Sequence, residues 1–285
     1  MKKPRVPGAF IGDLSSLTKI FKAIATNRGL TTREAITATN LIPEALRFSP
    51  CFLDKLTGIW RYDFGDPFVL YDESLVFGTH MWLPVELLFD VLFCAYKRLT
   101  SDQLTNYLLR LGDPSRHEDL LIEFSPILRL SSEIATTYEA EGYGEGESNV
   151  DWLLSPPNSE PILLDVKNRK LDLLDQFLEG MYGPTDAMPA PTHDTALIFR
   201  SLEKKFKPND VESIIQGAWI RTLLKQEERE LQASFSQLDC TRIHFAILGD
   251  WKDDVYLLCD NSLIREKLLA IFNIRESNRF VFNRN

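Results

Sequence analysis

Four histidines and four cysteines are all that 285 residues offer to zinc or thiol chemistry. His80, His117, His193 and His244 are scattered, with no H-x-x-x-H or H-E-x-x-H pair, so the usual zinc spacings are missing. Cys51, Cys94, Cys240 and Cys259 lie far apart and form no C-x-x-C. They read as reduced, mostly buried thiols of a reducing compartment, not as disulfides. Neither G-x-x-x-x-G-K-[ST] nor G-x-G-x-x-G occurs, which removes the usual nucleotide-binding loops. Glycines 142, 144 and 146 alternate with Tyr143 and Glu145 ahead of Glu147, and an acidic loop of that kind repels phosphate. Long apolar runs are also absent. The most apolar stretch, "LVFGTHMWLPVELLFDVLFCAY", is broken by His80, Pro84, Glu86 and Asp90, so it reads as buried helix rather than a membrane span. The basic start "MKKPRVPGAFIG" has a short apolar part broken by Pro7, unlike a signal peptide. A cytoplasmic protein with no membrane partner is the expectation.

What is present is the composition of a globular chain, 44% hydrophobic and 26% charged, long enough for one large domain or two ordinary ones. The net charge of −9 disfavours a simple nucleic-acid binder, because phosphate contacts need cations. The charge is uneven, however. Residues 1–50 carry Lys2, Lys3, Arg5, Lys19, Lys22, Arg28, Arg33 and Arg47 against Asp13, Glu34 and Glu44, an excess of +5 that leaves −14 for the rest. A basic front end of this kind suits an anionic partner.

No repeat or low-complexity tract divides the chain. "SSLTKIFKAIATNRG" places Leu17, Ile20, Phe21, Ile24 and Ala25 on one helical face and stops at Gly29. "TTREAITATN" opens with the capping-box spacing Thr31-x-x-Glu34, and "LIPEALRF" follows with Pro43 in a first turn. "GIWRYDFGDPFVLY" then offers a β-hairpin around Gly65-Asp66-Pro67. Helix, helix, helix, hairpin over residues 15–72 resembles a winged-helix domain, although Pro50 shortens the would-be recognition helix. Two apolar helices are expected over 83–112, the second from Ser101 to Gly112. Ser115-x-x-Glu118 is a further capping box, opening "RHEDLLIEFSPILRL" as a helix bent at Pro126. "EIATTYEA", "NVDWLL", "PILLDVK", "RIHFAILG" and "DVYLLC" read as strands, "DTALIFRSLEKKF" and "RTLLKQEERELQASFSQ" as helices, and 180–192 as a mobile loop. Such alternation predicts α/β or α+β, with a mixed central sheet flanked by helices and preceded by a mainly helical region. The tryptophans sit mostly in apolar runs and read as core.

Two strand segments hold an acid where a core residue is expected: Asp151 in "VDWLL" and Asp165 in "ILLDVK". If the intervening loop centres near Asn158, Leu154 faces Ile162 and Asp151 faces Asp165. Opposed side chains then share a face with Cβ atoms roughly 5 Å apart. Lys167, two residues on, shares it too. Two carboxylates at that distance repel by about 3 kcal/mol at an effective dielectric of 20. A divalent cation with oxygen ligands would relieve the repulsion. Two other [DE]-x-K tripeptides, Glu203-Lys204-Lys205 and Asp250-Trp251-Lys252, lack the context. The first reads as charged helix. The second is separated from Asp239 by "CTRIHFAIL", read as one strand that holds the acids roughly 35 Å apart.

The acid on one strand followed by Asp-x-Lys on the next resembles the PD-(D/E)xK nuclease superfamily over about residues 115–260. The resemblance implies a restriction-endonuclease-like fold, Mg²⁺ as cofactor with Mn²⁺ as a substitute, and phosphodiester hydrolysis. It assigns Asp151 and Asp165 to the metal and Lys167 to water orientation or charge stabilisation. Val150 stands where the family often has Pro. A helical acid completes many such sites; Glu123 is the choice here, with Glu118 and Asp119 as rivals. Gln216 in "QGAWI" matches half of the Q-x-x-x-Y element of one branch, Ile220 standing in place of the Tyr. The implied organisation is a winged-helix-like DNA-binding region at 1–75, a helical connector at 76–114 and a nuclease-like domain at 115–285. DNA is the implied partner, in restriction, repair or defence. Paired cuts would need a homodimer or two binding events. A silent nuclease-fold scaffold and an RNA-directed nuclease are the alternatives.

Overall fold

The computed structural model describes residues 10–11, 14–41, 51–53, 60–62, 69–71, 74–77, 81–111, 116–146, 148–168, 195–210, 212–221, 231–249, 255–275 and 279–280. The expected third helix beyond Leu41, the 180–192 loop, most of the helix expected at 221–237, and Asp250 lie outside them. The chain divides into two compact units, residues 1–124 with 171–187 and residues 125–170 with 188–285. Among the described residues no helix is long and apolar enough to cross a membrane.

In the first unit, α1 (Leu14–Asn27) and α2 (Thr32–Asn40) form where the hydrophobic spacing predicts them. Phe21, Ile24 and Ala25 are buried, with Phe21 edge-on to Phe89 at 5.1 Å. Gly29, at φ +66°, ends α1 in a Schellman turn: Leu30 N–H donates to Ala25 O at 2.9 Å and Gly29 N–H to Thr26 O at 3.0 Å. The Thr31/Glu34 capping box forms in both directions, at 3.0 and 3.3 Å. Helices α3 (Val85–Arg98) and α4 (Ser101–Leu111) follow as expected, the second capped by a reciprocal Thr100/Gln103 pair.

Two local expectations are corrected in this unit. The runs flanking Gly65-Asp66-Pro67 do become strands, but they do not pair with each other. Among the described residues, β3 (Trp60–Tyr62) pairs with β2 (Cys51–Leu53). Strand β4 (Val69–Tyr71) pairs with β1 (Phe10–Ile11) and β5 (Ser74–Phe77), and β6 (Met81–Pro84) adds to β5. The short Tyr71-to-Ser74 connection closes a tighter hairpin than the Gly-Asp-Pro segment offers. The expected bent helix is also shorter. Helix α5 (His117–Glu123) starts after Arg116, which makes no side-chain cap, and stops at Phe124. Pro126 then opens a separate 3₁₀ turn over Ile127–Arg129 instead of bending one continuous helix. Tyr107 O–H donates to Leu120 O at 2.8 Å and its ring meets Phe124 at 4.8 Å, so α5 is tied to α4. The chain passes from the first unit to the second at 124/125.

The second unit is built on a mixed seven-stranded sheet, order β13-β12-β11-β10-β9-β8-β7. Strands β7 (Ala135–Ala140), β8 (Val150–Ser155) and β9 (Ile162–Lys167) form an antiparallel meander. The β8–β9 turn centres on Asn158, whose φ of +59° is one that asparagine tolerates. Helix α6 (Thr195–Lys205) lies in the connection from β9 to β10 (Ile215–Ile220), which runs parallel to it. Strand β11 (Phe245–Leu248) is again parallel; β12 (Tyr256–Leu258) reverses, and β13 (Arg279–Phe280) closes the edge. The stretch 240–248, expected as one strand, is a strand only from Phe245, because Asp239 turns the chain by accepting from Thr241 N–H at 2.9 Å. Gly217 sits where β10 and β11 come closest; a Cβ there would lie 2.3 Å from Phe245 O.

Both sheet faces are covered. On one, Leu163, Ala218, Ile220, Ala246 and Leu248 pack with Phe199, Leu202 and Phe206 of and after α6 and with Phe235. On the other, Trp219 and Phe245 meet Phe272, which caps α7 (Ser262–Ile271), at 6.4 and 6.3 Å. Strands β9 and β10 are therefore buried almost throughout, the usual condition of parallel strands. Trp152 and Trp219 are core, as expected, and the described cysteines Cys94, Cys240 and Cys259 are free, Cys240 being exposed.

Candidate active site

The β8–β9 register runs Leu154 to Ile162, Leu153 to Leu163 and Trp152 to Leu164. One further step brings Asp151 level with Asp165, the juxtaposition that the sequence implied. There a side chain takes over from the backbone ladder: Asp151 Oδ2 accepts from Val166 N–H at 2.7 Å. That bond locks the first carboxylate against the strand bearing the second. Asp165 is completely buried, on the face covered by α6, and its neighbour in β10 is Ala218. A single methyl at 218 leaves the space above Asp165 to longer side chains.

Two lysines fill that space. Lys167 Nζ stands 2.5 Å from Asp165 Oδ2. Lys205, from the last turn of α6, bonds Asp165 Oδ1 and reaches Asp151 Oδ1 at 3.5 Å. Two carboxylates and two ammonium groups sum to zero charge, which is how a fully buried aspartate is tolerated. Burial opposes the charged form of Lys205, but the fields of Asp165 and Asp151 and the bonds to them raise its pKa above the ordinary lysine value. Its ammonium is held, not merely placed. Asp165 Oδ2 differs from the other oxygens: it lies beside the Lys167 charge yet has no aligned hydrogen-bond donor.

The structure thus brings Asp151, Asp165 and Lys167 together in the second unit. Glu123, expected as the helical acid, closes α5 in the first unit, and Asp119 lies half-buried one turn before it. The side chain of Glu118 is outside the described residues.

Lys205 is the site residue that the sequence does not single out, because Glu203-Lys204-Lys205 reads as charged helix without strand character. A signal was available. Phe199 and Leu202 are buried at helical spacing, and Lys205 extends that stripe by three residues toward the buried Phe206. A lysine on a buried stripe needs an acid, and Asp165 is the completely buried one.

Gln216, the matching half of the Q-x-x-x-Y element, is hydrogen-bonded at both ends of its amide. Its Nε2 donates to Lys207 O at 2.6 Å and Arg242 O at 2.8 Å, and its Oε1 accepts from Asn209 Nδ2 at 2.9 Å. His244 Nδ1 accepts from Gln216 N–H at 3.1 Å, which places the ring proton on Nε2, 3.2 Å from Asn209 O. Burial lowers the His244 pKa and keeps the ring neutral. Arg242 donates to Phe206 O at 2.8 Å, to Glu203 O at 3.0 Å and to Glu145 at 2.6 Å. These groups satisfy one another and pin the end of α6 to the sheet.

A divalent cation fits the carboxylate pair with one condition. Among the described residues no group of three or more His, Cys, Asp or Glu side chains is close enough to hold a metal ion. Two carboxylates suffice for Mg²⁺, which commonly keeps several waters and adds substrate phosphate oxygens. Asp151 Oδ1 and Asp165 Oδ1 already face one cation, the Lys205 ammonium, so the two carboxylates share a cation position. No protein-family model, curated protein or solved structure matches this chain.

Proposed function

We propose that this protein is a Mg²⁺-dependent nuclease of the PD-(D/E)xK type, hydrolysing phosphodiester bonds at Asp151, Asp165 and Lys167. One observation carries the reading: two aspartates on adjoining strands share a single cation position, with the lysine of the Asp-x-Lys tripeptide against the buried one. The mixed sheet flanked by helices supports it, since the resemblance implies a mixed central sheet between helices. DNA is the proposed substrate, favoured by the positive excess of residues 1–50.

Asp151 and Asp165 would hold the ion, and Mn²⁺ would substitute for Mg²⁺. A bound metal supplies Lewis acidity toward the scissile phosphate and a water of lowered pKa. The protein's own contribution is fixed geometry. The Val166 N–H bond sets Asp151, complete burial sets Asp165, and Lys167 presents a cation to charge developing on the phosphate or to the attacking water.

A second reading has its own observation. The four charges already neutralise one another, so the cluster could serve as an ion-pair plug in a silent nuclease fold that binds DNA without cutting it. Nicking of supercoiled plasmid separates the two. The active-nuclease reading expects nicking with Mg²⁺ or Mn²⁺, none with EDTA, and a loss of about 10³-fold in Asp165→Asn and Lys167→Met. Wild-type protein that leaves DNA intact with both metals supports the plug. Cleavage of RNA alone would keep the chemistry and change the substrate.

A further inference from the structure

We infer that Lys205 is a built-in counter-cation that occupies the metal position between Asp151 and Asp165 and must be displaced before a divalent ion can bind. The inference rests on the metal-site reading above but goes beyond its motif, which assigns nothing to α6.

The oxygens decide between the two lysines. Asp151 uses Oδ2 on Val166 N–H, so only its Oδ1 faces the shared space. Asp165 meets Lys167 through Oδ2. The remaining pair, Asp151 Oδ1 and Asp165 Oδ1, converges on one atom, Lys205 Nζ. A cation held by both carboxylates would have to stand where that ammonium stands. Lys167 approaches from the other oxygen and is not in the way.

Charge also calls for a displacement. With both lysines in place the cluster is neutral, and an arriving dication would leave it at +2 inside a largely buried site. Withdrawing one ammonium halves that excess, and a substrate phosphate can neutralise the remainder. The backbone of Lys205 cannot follow its side chain. Its carbonyl accepts from Glu145 N–H at 2.7 Å, and Arg242 ties down the carbonyls of Glu203 and Phe206 on either side. Displacement is therefore a swing of the four-carbon stem alone, toward solvent to which the side chain is already 19% exposed.

The test is Mn²⁺ binding to the full chain by calorimetry, with no nucleic acid present. Lys205→Met should bind Mn²⁺ about tenfold more tightly than wild type, because a like charge at contact distance has been removed. Lys205→Gln drops the charge but keeps a donor, and it carries the same expectation should the methionine variant fold poorly. Lys167→Met should gain less than either. Equal or weaker Mn²⁺ affinity in both Lys205 variants, or a larger gain in Lys167→Met, would overturn the inference. Because no cleavage is read, a protein that binds Mn²⁺ in this pattern but cuts nothing would sink the nuclease reading and leave this one standing.

Discussion

Two buried polar clusters lie in the same unit, within a few residues of each other along β9 and β10. Around Gln216 and His244, nearly every donor meets an acceptor, and no pair of like charges has to be held apart. Around Asp151 and Asp165, four ionised groups crowd together and one buried carboxylate oxygen lacks an aligned donor. A satisfied network of largely neutral groups fixes a chain, and it gains nothing from a ligand. A cluster of ionised groups in balance costs desolvation and is a poor way to gain stability. That difference points to structure at the first cluster and chemistry at the second.

Removing one partner from each cluster breaks the comparison most directly. Gln216→Leu should cost about 3 kcal/mol in urea unfolding, because the carbonyls of Lys207 and Arg242 and the Asn209 amide lose their partner inside the protein. Asp165→Asn should cost less. The two lysines it frees are 19% and 29% exposed and can turn to water, and the amide roughly conserves volume. If Asp165→Asn were the more destabilising change, the aspartate cluster would be the structural one.

A smaller effect comes from His244. Folding holds its pKa below the ordinary value, so the unfolded chain takes up this proton first as the pH falls. Its contribution is thus present above the unfolded value of about 6.5 and is lost as the pH drops through and below it. Unfolding midpoints measured between about pH 7.5 and about pH 5.5 should fall in wild type and fall less steeply in His244→Gln. Parallel slopes would show that another group carries the dependence.

The sequence revealed the strand pair best. Alternation, the Pro-Pro-Asn-Ser turn and two misplaced acids were enough to set the β8–β9 register to the residue, because shifting it by one would send every core side chain to the wrong face. Helices α1 and α2 were equally legible, from the apolar spacing around Phe21 and from the Thr31/Glu34 box. Strand partners were not. Trp60–Tyr62 and Val69–Tyr71 look alike in sequence, and which strands they join depends on Cys51–Leu53, Phe10–Ile11 and Ser74–Phe77, whose placement no local spacing encodes. Lys205 was missed for a related reason. Its role exists only because α6 crosses over β9, and a short tripeptide in a charged run carries no trace of that crossing.

The central claim is that Asp151 and Asp165 form a cation site rather than an ion-pair plug. Crystals soaked in Mn²⁺ and read by anomalous diffraction test it directly. The account expects one anomalous peak roughly 2.1 Å from both Asp151 Oδ1 and Asp165 Oδ1, with the Lys205 ammonium moved out of that position. A Lys205 Nζ still seated between the two carboxylates at saturating Mn²⁺, with no peak there, would contradict it.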